Sequence, residues 1–578
     1  MKKMTMSGVM QLLLAMCFVS FVCCSEDNDK QEEPMPKPIP QSLKTNVDTL
    51  IFATSDADHQ TFTVSAIGTA WSLDTLVPCQ WLHATPKFGN AGDVVVQVNV
   101  DENTVNVLRT TFLTLISADS SLSLRVGISQ AGAKKTYGRM TDSLALVAVD
   151  KHFRTEWKLD KPMTTWKNLI TEIVGGELRV TGLDFTYDVN AGGTIAPEIG
   201  QLSELKILNL RAIHGEVPEE ILGLQKLEEF WLRNSSGVTW NVPAGISALK
   251  SLRSIKGNGL ISGNGFNINS ASFANFYNIP ALEVLMISCN TLDSELPAGF
   301  SKLKHLKSFS LNNTVVTKLP DDFYDMVTLE ELLLETNIFF TEISPKIGNL
   351  VNLQVLSLIG TKVKTLPVEF NKLKKLRKLD LSGLKITGDA TAYFSGMNDM
   401  EEMLLTRNLF SGSIAFVKDM TKLRKLDLKN NQQLTGEMSE SWFHSTLERV
   451  ALDSNLLTGT LAGIEKCTKL VDFSVRTNQL SGTMPEGLDK CVDLQTFFVQ
   501  NNNLTGNLPA YMADPNFKVW GANFKVCYNR LSGTILQSII DYDKSKYNEL
   551  TKLGRWGWDM ICPQQEGYGF DNCPAYKK

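Results

Sequence analysis

Histidine is scarce in these 578 residues: six, at His59, His83, His152, His214, His305 and His444. None stands in an H-E-x-x-H pair, and no two of the ten cysteines are spaced C-x-x-C, so neither zinc pattern is present. The G-x-S-x-G elbow and the glycine-lysine phosphate loop are missing as well. Adjacent carboxylates such as Glu330-Glu331 and Glu401-Glu402 face opposite sides of a strand and cannot share one proton-transfer task. An enzymatic reading therefore has no catalytic residues, cofactor or metal to rest on. Basic charge is not in excess either: a net charge of −5 removes the field that would draw nucleic acid. No stretch after Val22 has the ~18 apolar residues that a spanning helix needs. With 43% hydrophobic and 21% charged residues, the composition excludes disorder and little else.

What is present begins at the amino terminus. Lys2 and Lys3 precede an apolar stretch from Val9 to Val22, broken by Gln11 and Ser20, which has the layout of an export signal. It gives way to CCSEDNDKQEEPMPKPIPQS, acidic and proline-rich, which reads as a tether. These residues resemble bacterial lipoprotein signals, in which the mature chain starts at a lipid-bearing cysteine. The resemblance implies a signal peptide over 1–23, lipid on Cys24 and a tether over 24–44. Cys17 is the poorer candidate, because Met16 before it is bulky. SEDND resembles the acidic tag that sorts Bacteroidetes lipoproteins to the outer face of the outer membrane. The chain is then expected on the cell exterior, held to the membrane by lipid alone. An ordinary cleaved signal with two incidental cysteines is the competing reading.

KKLRKLDLSG at 374–383 returns as TKLRKLDLKN at 421–430, 47 residues later. That interval is two steps of a shorter rhythm, L-x-x-L-x-L-x-x-N-x-L. Leu282-Leu285-Ile287-Asn290-Leu292 fits it, as do Leu423-Leu426-Leu428-Asn431 and Leu470-Phe473-Val475-Asn478-Leu480. The fourth position recurs at 285, 309, 332, 356, 379, 403, 426, 450, 473 and 497, in steps of 23 or 24. The L-x-L core predicts a short strand whose apolar pair faces an interior that only stacked turns can bury. Asn at the ninth position can bond the backbone of adjoining turns. Where Thr314, Thr361 or Leu384 replaces it, that ladder has to break or be taken up otherwise.

LTGTL, LSGTMP, LTGNLP and LSGTI follow the later Asn positions, and the series resembles plant-type leucine-rich repeats. VTKLP and VKTLP in the middle are closer to a bacterial variety. The resemblance implies a parallel β horseshoe over 201–540, of about fourteen turns. Residues 136–200 and 541–578 are expected to cap its ends. One step, through 257–280, is stretched to 30 residues; its glycines lack the context of a phosphate loop and read as an insertion.

Residues 45–135 leave the rhythm. TFTVSAI, DVVVQVNV, TTFLTLIS and SLRVGISQAG alternate apolar and polar residues between turn-rich stretches, which argues a small β-sandwich. AWSL at Trp71, CQWLHATPKFGNAG around Trp81, Arg109 and the closing ISQAG resemble the BACON domain of Bacteroidetes surface proteins. That resemblance implies glycan or mucin binding, with Trp71 and Trp81 either sugar-stacking platforms or core. The expected fold class is thus a leucine-rich-repeat solenoid with an N-terminal β-sandwich domain.

Discounting Cys17, Cys23 and Cys24 leaves seven of the ten cysteines, an odd number that predicts a free thiol. Cys467 and Cys491 share a template phase in adjacent turns, either bridged or packed as thiols. Cys562 and Cys573 bracket a glycine-rich bend and are the best cross-link candidates, although pairing among these four and Cys527 stays open.

Positions 3, 5 and 7 of each strand share the outward, concave side. The candidate ligand contacts there are the apolar Trp231, Met286, Leu333, Leu404 and Phe498, expected to be exposed, with Arg233, Glu335, Arg407, Asp427 and Arg476. Two functions follow. The first is a non-enzymatic surface lipoprotein binding an extracellular protein or glycan through the concave face. The second is an accessory glycan- or mucin-binding lipoprotein of an outer-membrane uptake system, with the repeats as scaffold.

Overall fold

The computed structural model describes residues 40–52, 59–74, 79–103, 109–130, 137–235, 237–258, 266–288, 291–515, 517, 519, 523–545 and 558–573. Cys24, the expected signal, most of the tether and Asn290 lie outside them. Two compact units divide the chain, Met1–Lys135 and Thr136–Lys578.

In the first unit, period-two alternation builds two sheets. Ser42–Thr45, His59–Ile67, Gly92–Val100 and Leu82–Thr85 form one, in that order. Thr49–Phe52, Ser123–Gln130, Arg109–Ser117, Trp71–Asp74 and Phe88–Gly89 form the other. Phe62, Val64, Val96 and Val98 of the first sheet share a buried cluster with Leu113, Leu115, Val126 and Ile128 of the second.

The second unit opens with the helix Tyr137–His152, then a hairpin of Leu169–Val174 and Glu177–Asp184. Gly175 and Gly176 turn the hairpin with φ of 61° and 85°, the left-handed region that glycine favours. Asp142 of the helix is fully buried and holds Arg179 of the hairpin through two bonds of 3.0 Å. From Glu177–Asp184 onward every neighbouring strand is parallel, and the sheet reaches sixteen strands, ending at Phe524–Lys525.

The repeat explains the geometry. Leu426 and Leu428 are buried while Lys425, Asp427 and Lys429 point outward, half-covered. Leu426, Val450, Phe473 and Phe497 lie in lateral register, so each interior side chain is capped by its counterparts in the next turns. Phe473, Phe497 and Phe524 form a run of stacked rings with centroids 5.6 Å apart. Each such side chain gains about 1.5–3 kcal/mol from leaving water, a gain that exists only in the stack.

Asn at the ninth position serves two turns at once. Asn478 Nδ2 donates to Leu452 O at 2.9 Å and Val475 O at 3.0 Å, and its Oδ1 accepts from Leu457 N at 3.0 Å. Asn431, Asn455, Asn502 and Asn529 repeat the donor pattern. The replacements behave differently from one another. Thr314 gives its N–H and its hydroxyl to Asn337 of the next turn, whereas the Thr361 hydroxyl is buried without a partner. Beyond the Asn, glycines allow the convex side to close up: a Cβ on Gly459 would stand 2.0 Å from Met438 O.

The stretched turn fills its own gap. Gly257 occupies the sixth position, where other turns have leucine, isoleucine or valine, and Phe266 puts its ring there: a Cβ on Gly257 would fall 1.6 Å from it. The helix Ser270–Phe273 then buries Phe273, and Phe276 follows it into the core. At the far end, Trp558 donates its indole N–H to buried Asp543 at 2.8 Å, and Cys562 is bonded to Cys573. Cys79, Cys467, Cys491 and Cys527 are free thiols.

Candidate ligand-binding face

Parallel pairing in unbroken register turns the fifth position of every turn into one row across the concave sheet. Its order is Asn209, Trp231, Lys256, Met286, Ser310, Leu333, Ser357, Asp380, Leu404, Asp427, Ala451, Ser474 and Phe498. Trp231, Met286, Leu333, Leu404 and Phe498 all stand on it, but half-buried instead of exposed. At a strand spacing of ~4.8 Å, the flanking side chains cover part of each one. Arg407 departs from the expected face: it stands one residue beyond the seventh position, exposed at a corner with φ of 57°.

The row is uneven, and its dip is the main feature. Ala451 and Ser474 are small, with Leu404 and Asp427 on one side and Phe498 on the other, which leaves a recess of about 460 Å³. Of the candidates, it brings together Leu404, Asp427, Arg476 and Phe498. Asp453, which is 3% exposed, organises its floor: it accepts from the Ser474 hydroxyl, from Arg476 N at 3.2 Å and from Arg476 Nε at 2.9 Å. Lys429 pairs with Asp427 at 3.1 Å, Arg449 with Asp472 at 3.3 Å, and Lys525 covers the Phe498 ring at 5.1 Å. The recess is therefore an apolar centre inside a ring of charges that neutralise one another. Asp453 and Ala451 were legible as members of their rows, but their role depends on the sizes of lateral neighbours.

Midway along the sheet the face is acidic. Glu335 accepts from the Ser357 hydroxyl at 2.8 Å. Burial, with Glu335 and Asp427 nearby, pushes the Asp380 carboxyl above its ordinary range, partly offset by hydrogen bonds from Ser382. At the other end, the Arg233 guanidinium lies 4.8 Å from the Tyr187 ring and 5.7 Å from Trp231, and Lys256 lies 5.4 Å from Trp231. Arg233 and Trp231 thus belong to a second cluster, eleven strands away from Phe498.

The first unit does not offer its tryptophans as platforms. Trp71 is 2% exposed, inside the core, and half-buried Trp81 carries the Arg109 guanidinium 4.3 Å from its ring. Among the unit's described residues the exposed aromatics are Phe88 and Phe112, at 76% and 54%. Phe112 stands opposite Gly127, and the Arg125 guanidinium of the same strand lies 5.9 Å from its ring. Its phase in TTFLTL, one residue before buried Leu113, was the available signal.

Comparison with known proteins agrees with the repeat geometry. A family model described as "Leucine rich repeat" matches residues 280–339, and no curated protein matches. Among solved structures, the Arabidopsis receptor kinase HAESA, in complex with the peptide hormone IDA and the co-receptor SERK1, aligns with a TM-score of 0.51. It is 18% identical, over 70% of this chain and 76% of that one. A TDR receptor aligns at 0.50 with 22% identity, over 63% and 66%. The GASSHO1/SCHENGEN3 ectodomain from Arabidopsis thaliana, in complex with CASPARIAN STRIP INTEGRITY FACTOR 2, aligns at 0.49 with 23% identity, over 69% of this chain. This chain spans 51% of that ectodomain's length. At such identities the likeness carries the fold.

Proposed function

We propose that this leucine-rich-repeat protein is a non-enzymatic surface protein that holds an extracellular peptide or protein on its concave sheet. The recess between Leu404 and Phe498 carries the reading. There the small Ala451 and Ser474 open a recess with apolar walls, bordered by hydrogen-bonding groups already held in place. No helix among the described residues is long and apolar enough to cross a membrane. Attachment in this reading is through lipid on Cys24, with SEDND directing the chain outward on the outer membrane of a Bacteroidetes-type cell. Photo-crosslinking from position 451 would identify the partner. Phe498→Ala should then weaken it by about tenfold or more, since buried aromatic anchors carry a large share of interface affinity, while the melting transition stays in place. Unchanged affinity would remove the recess from the interface.

A second reading is supported by Phe112 and Phe88, whose exposed rings on one sheet edge and face could stack sugars. Here the BACON-like β-sandwich binds a glycan and the repeats are scaffold. A glycan array probed with the chain and with Phe112→Ala distinguishes the two: glycan binding that depends on Phe112, with no loss in Phe498→Ala, selects the second.

A further inference from the structure

The cations of the concave face fall into two groups. In the C-terminal half most have a carboxylate: Lys425 has Glu402, Lys429 has Asp427, Arg449 has Asp472 and Arg476 has Asp453, while Lys525 lies over the Phe498 ring instead. At the N-terminal end, Arg211, Arg233 and Lys256 make neither an ion pair nor a side-chain hydrogen bond with any of the described residues. The nearby acids accept from other donors. Glu229 accepts from Asn209 Nδ2 at 3.0 Å, Asp184 from Thr186 N at 3.1 Å, and Asp188 pairs with Lys167 at 2.9 Å. Arg211 and Arg233 are lateral partners on adjacent strands, so their backbones stand about 5 Å apart. Tyr187, 79% exposed, and Trp231 flank Arg233 and limit where its fork can point.

Three cations without a direct ion pair thus stand beside two rings in a chain of net charge −5. The cations repel one another, a cost that a bound carboxylate would remove, and a guanidinium takes a carboxylate bidentately. We infer that the N-terminal end of the concave face is a recognition subsite for an acidic peptide segment. Its carboxylates would seat on Arg211, Arg233 and Lys256, and an apolar residue would rest on Trp231 and Tyr187. A chain lying across the strands meets all three cations. The inference rests on the concave face being the binding surface, and it adds the chemistry of the partner.

The test uses the full chain and a fluorescent peptide of alternating Glu and Leu, with a Gln–Leu peptide of equal length as control. The Glu peptide should bind about tenfold tighter, and lose that margin as salt is raised. The double variant Arg211→Gln/Arg233→Gln should bring both peptides to the same affinity with an unchanged melting temperature. Lys346→Gln/Lys422→Gln, which removes equal charge away from this face, should change nothing. Equal binding of the two peptides, or an unaffected Arg211/Arg233 variant, overturns the subsite. If the Arg pair instead bound a sulfated oligosaccharide in preference to the Glu peptide, the peptide assignment would fall. Phe498→Ala reports separately on the recess: loss there without loss at the Arg pair keeps the concave-face reading and removes this one.

Discussion

Asp380 sits in the fifth-position row between Ser357 and Leu404, half-buried, with Glu335 and Asp427 close enough to oppose its charge. Burial first, then those two carboxylates, hold its pKa above the ordinary carboxylate value. A carboxyl whose folded pKa exceeds its unfolded one holds its proton more tightly when folded. Its ionised form therefore costs stability near neutral pH, and the cost fades as pH falls through the folded value. Asp380→Asn should raise the melting temperature near neutral pH, and the gain should shrink on acidification, where the wild-type carboxyl is already neutral. Calorimetry across pH checks this; a gain constant with pH would assign the effect to packing. Two strands further along the sheet, Leu428 and Lys429 test the phase of the strand. Leu428→Ala should cost roughly 2–5 kcal/mol, as buried leucines do. Lys429→Ala should stay within about 0.5 kcal/mol, because its partner Asp427 is itself partly in water. Similar costs at both positions in denaturant melts would contradict the burial pattern.

At the scale of the turn, the asparagine ladder is the element that makes one repeat depend on the next. Asn478 satisfies two carbonyls and one amide that have no access to water. Asn478→Ala should therefore cost about 2–4 kcal/mol, more than one neutral hydrogen bond, since buried groups are stranded. Thr361 is the opposite case: its buried hydroxyl has no partner, so Thr361→Val should be neutral or stabilising in the same denaturant assay. The contrast also shows how far the sequence could be read. The strand phase at Leu426 and Leu428, the lateral rows and the ladder all follow from a rule repeated every turn, so counting was enough. Gly257 was not readable in this way, because the ring that fills its place comes from Phe266, across an insertion. The recess escaped for a similar reason. Ala451 and Ser474 are unremarkable in their own strands, and matter only because Leu404, Asp427 and Phe498 stand beside them. The apolar candidates were placed on the right row, but their exposure was overstated, since shielding by lateral neighbours is not written in any one turn.

At the scale of the whole chain, the anchor and the length of the sheet decide what partner can be held. If Cys24 bears lipid, Cys24→Ala should move the protein from membrane to soluble fractions. Neutral residues in place of SEDND should leave it on the membrane but protected from external protease. Unchanged fractionation and protease access in both variants would discard the sorting proposal. Trp231 and Phe498 stand eleven strand steps apart, roughly 50 Å along the sheet at about 4.8 Å per step. Sites so distant share no partners within the protein, so their contributions to binding one rigid ligand should add to within about 0.5 kcal/mol. A folded partner or a long acidic segment bridging both clusters should lose affinity in Trp231→Ala and in Phe498→Ala, and the double variant should lose the sum. A short peptide cannot span that distance and should respond to one site only. Titrating the crosslinked partner against the two single variants and the double variant separates these cases. Strong non-additivity would mean that the two ends of the solenoid are coupled through the stack of turns between them.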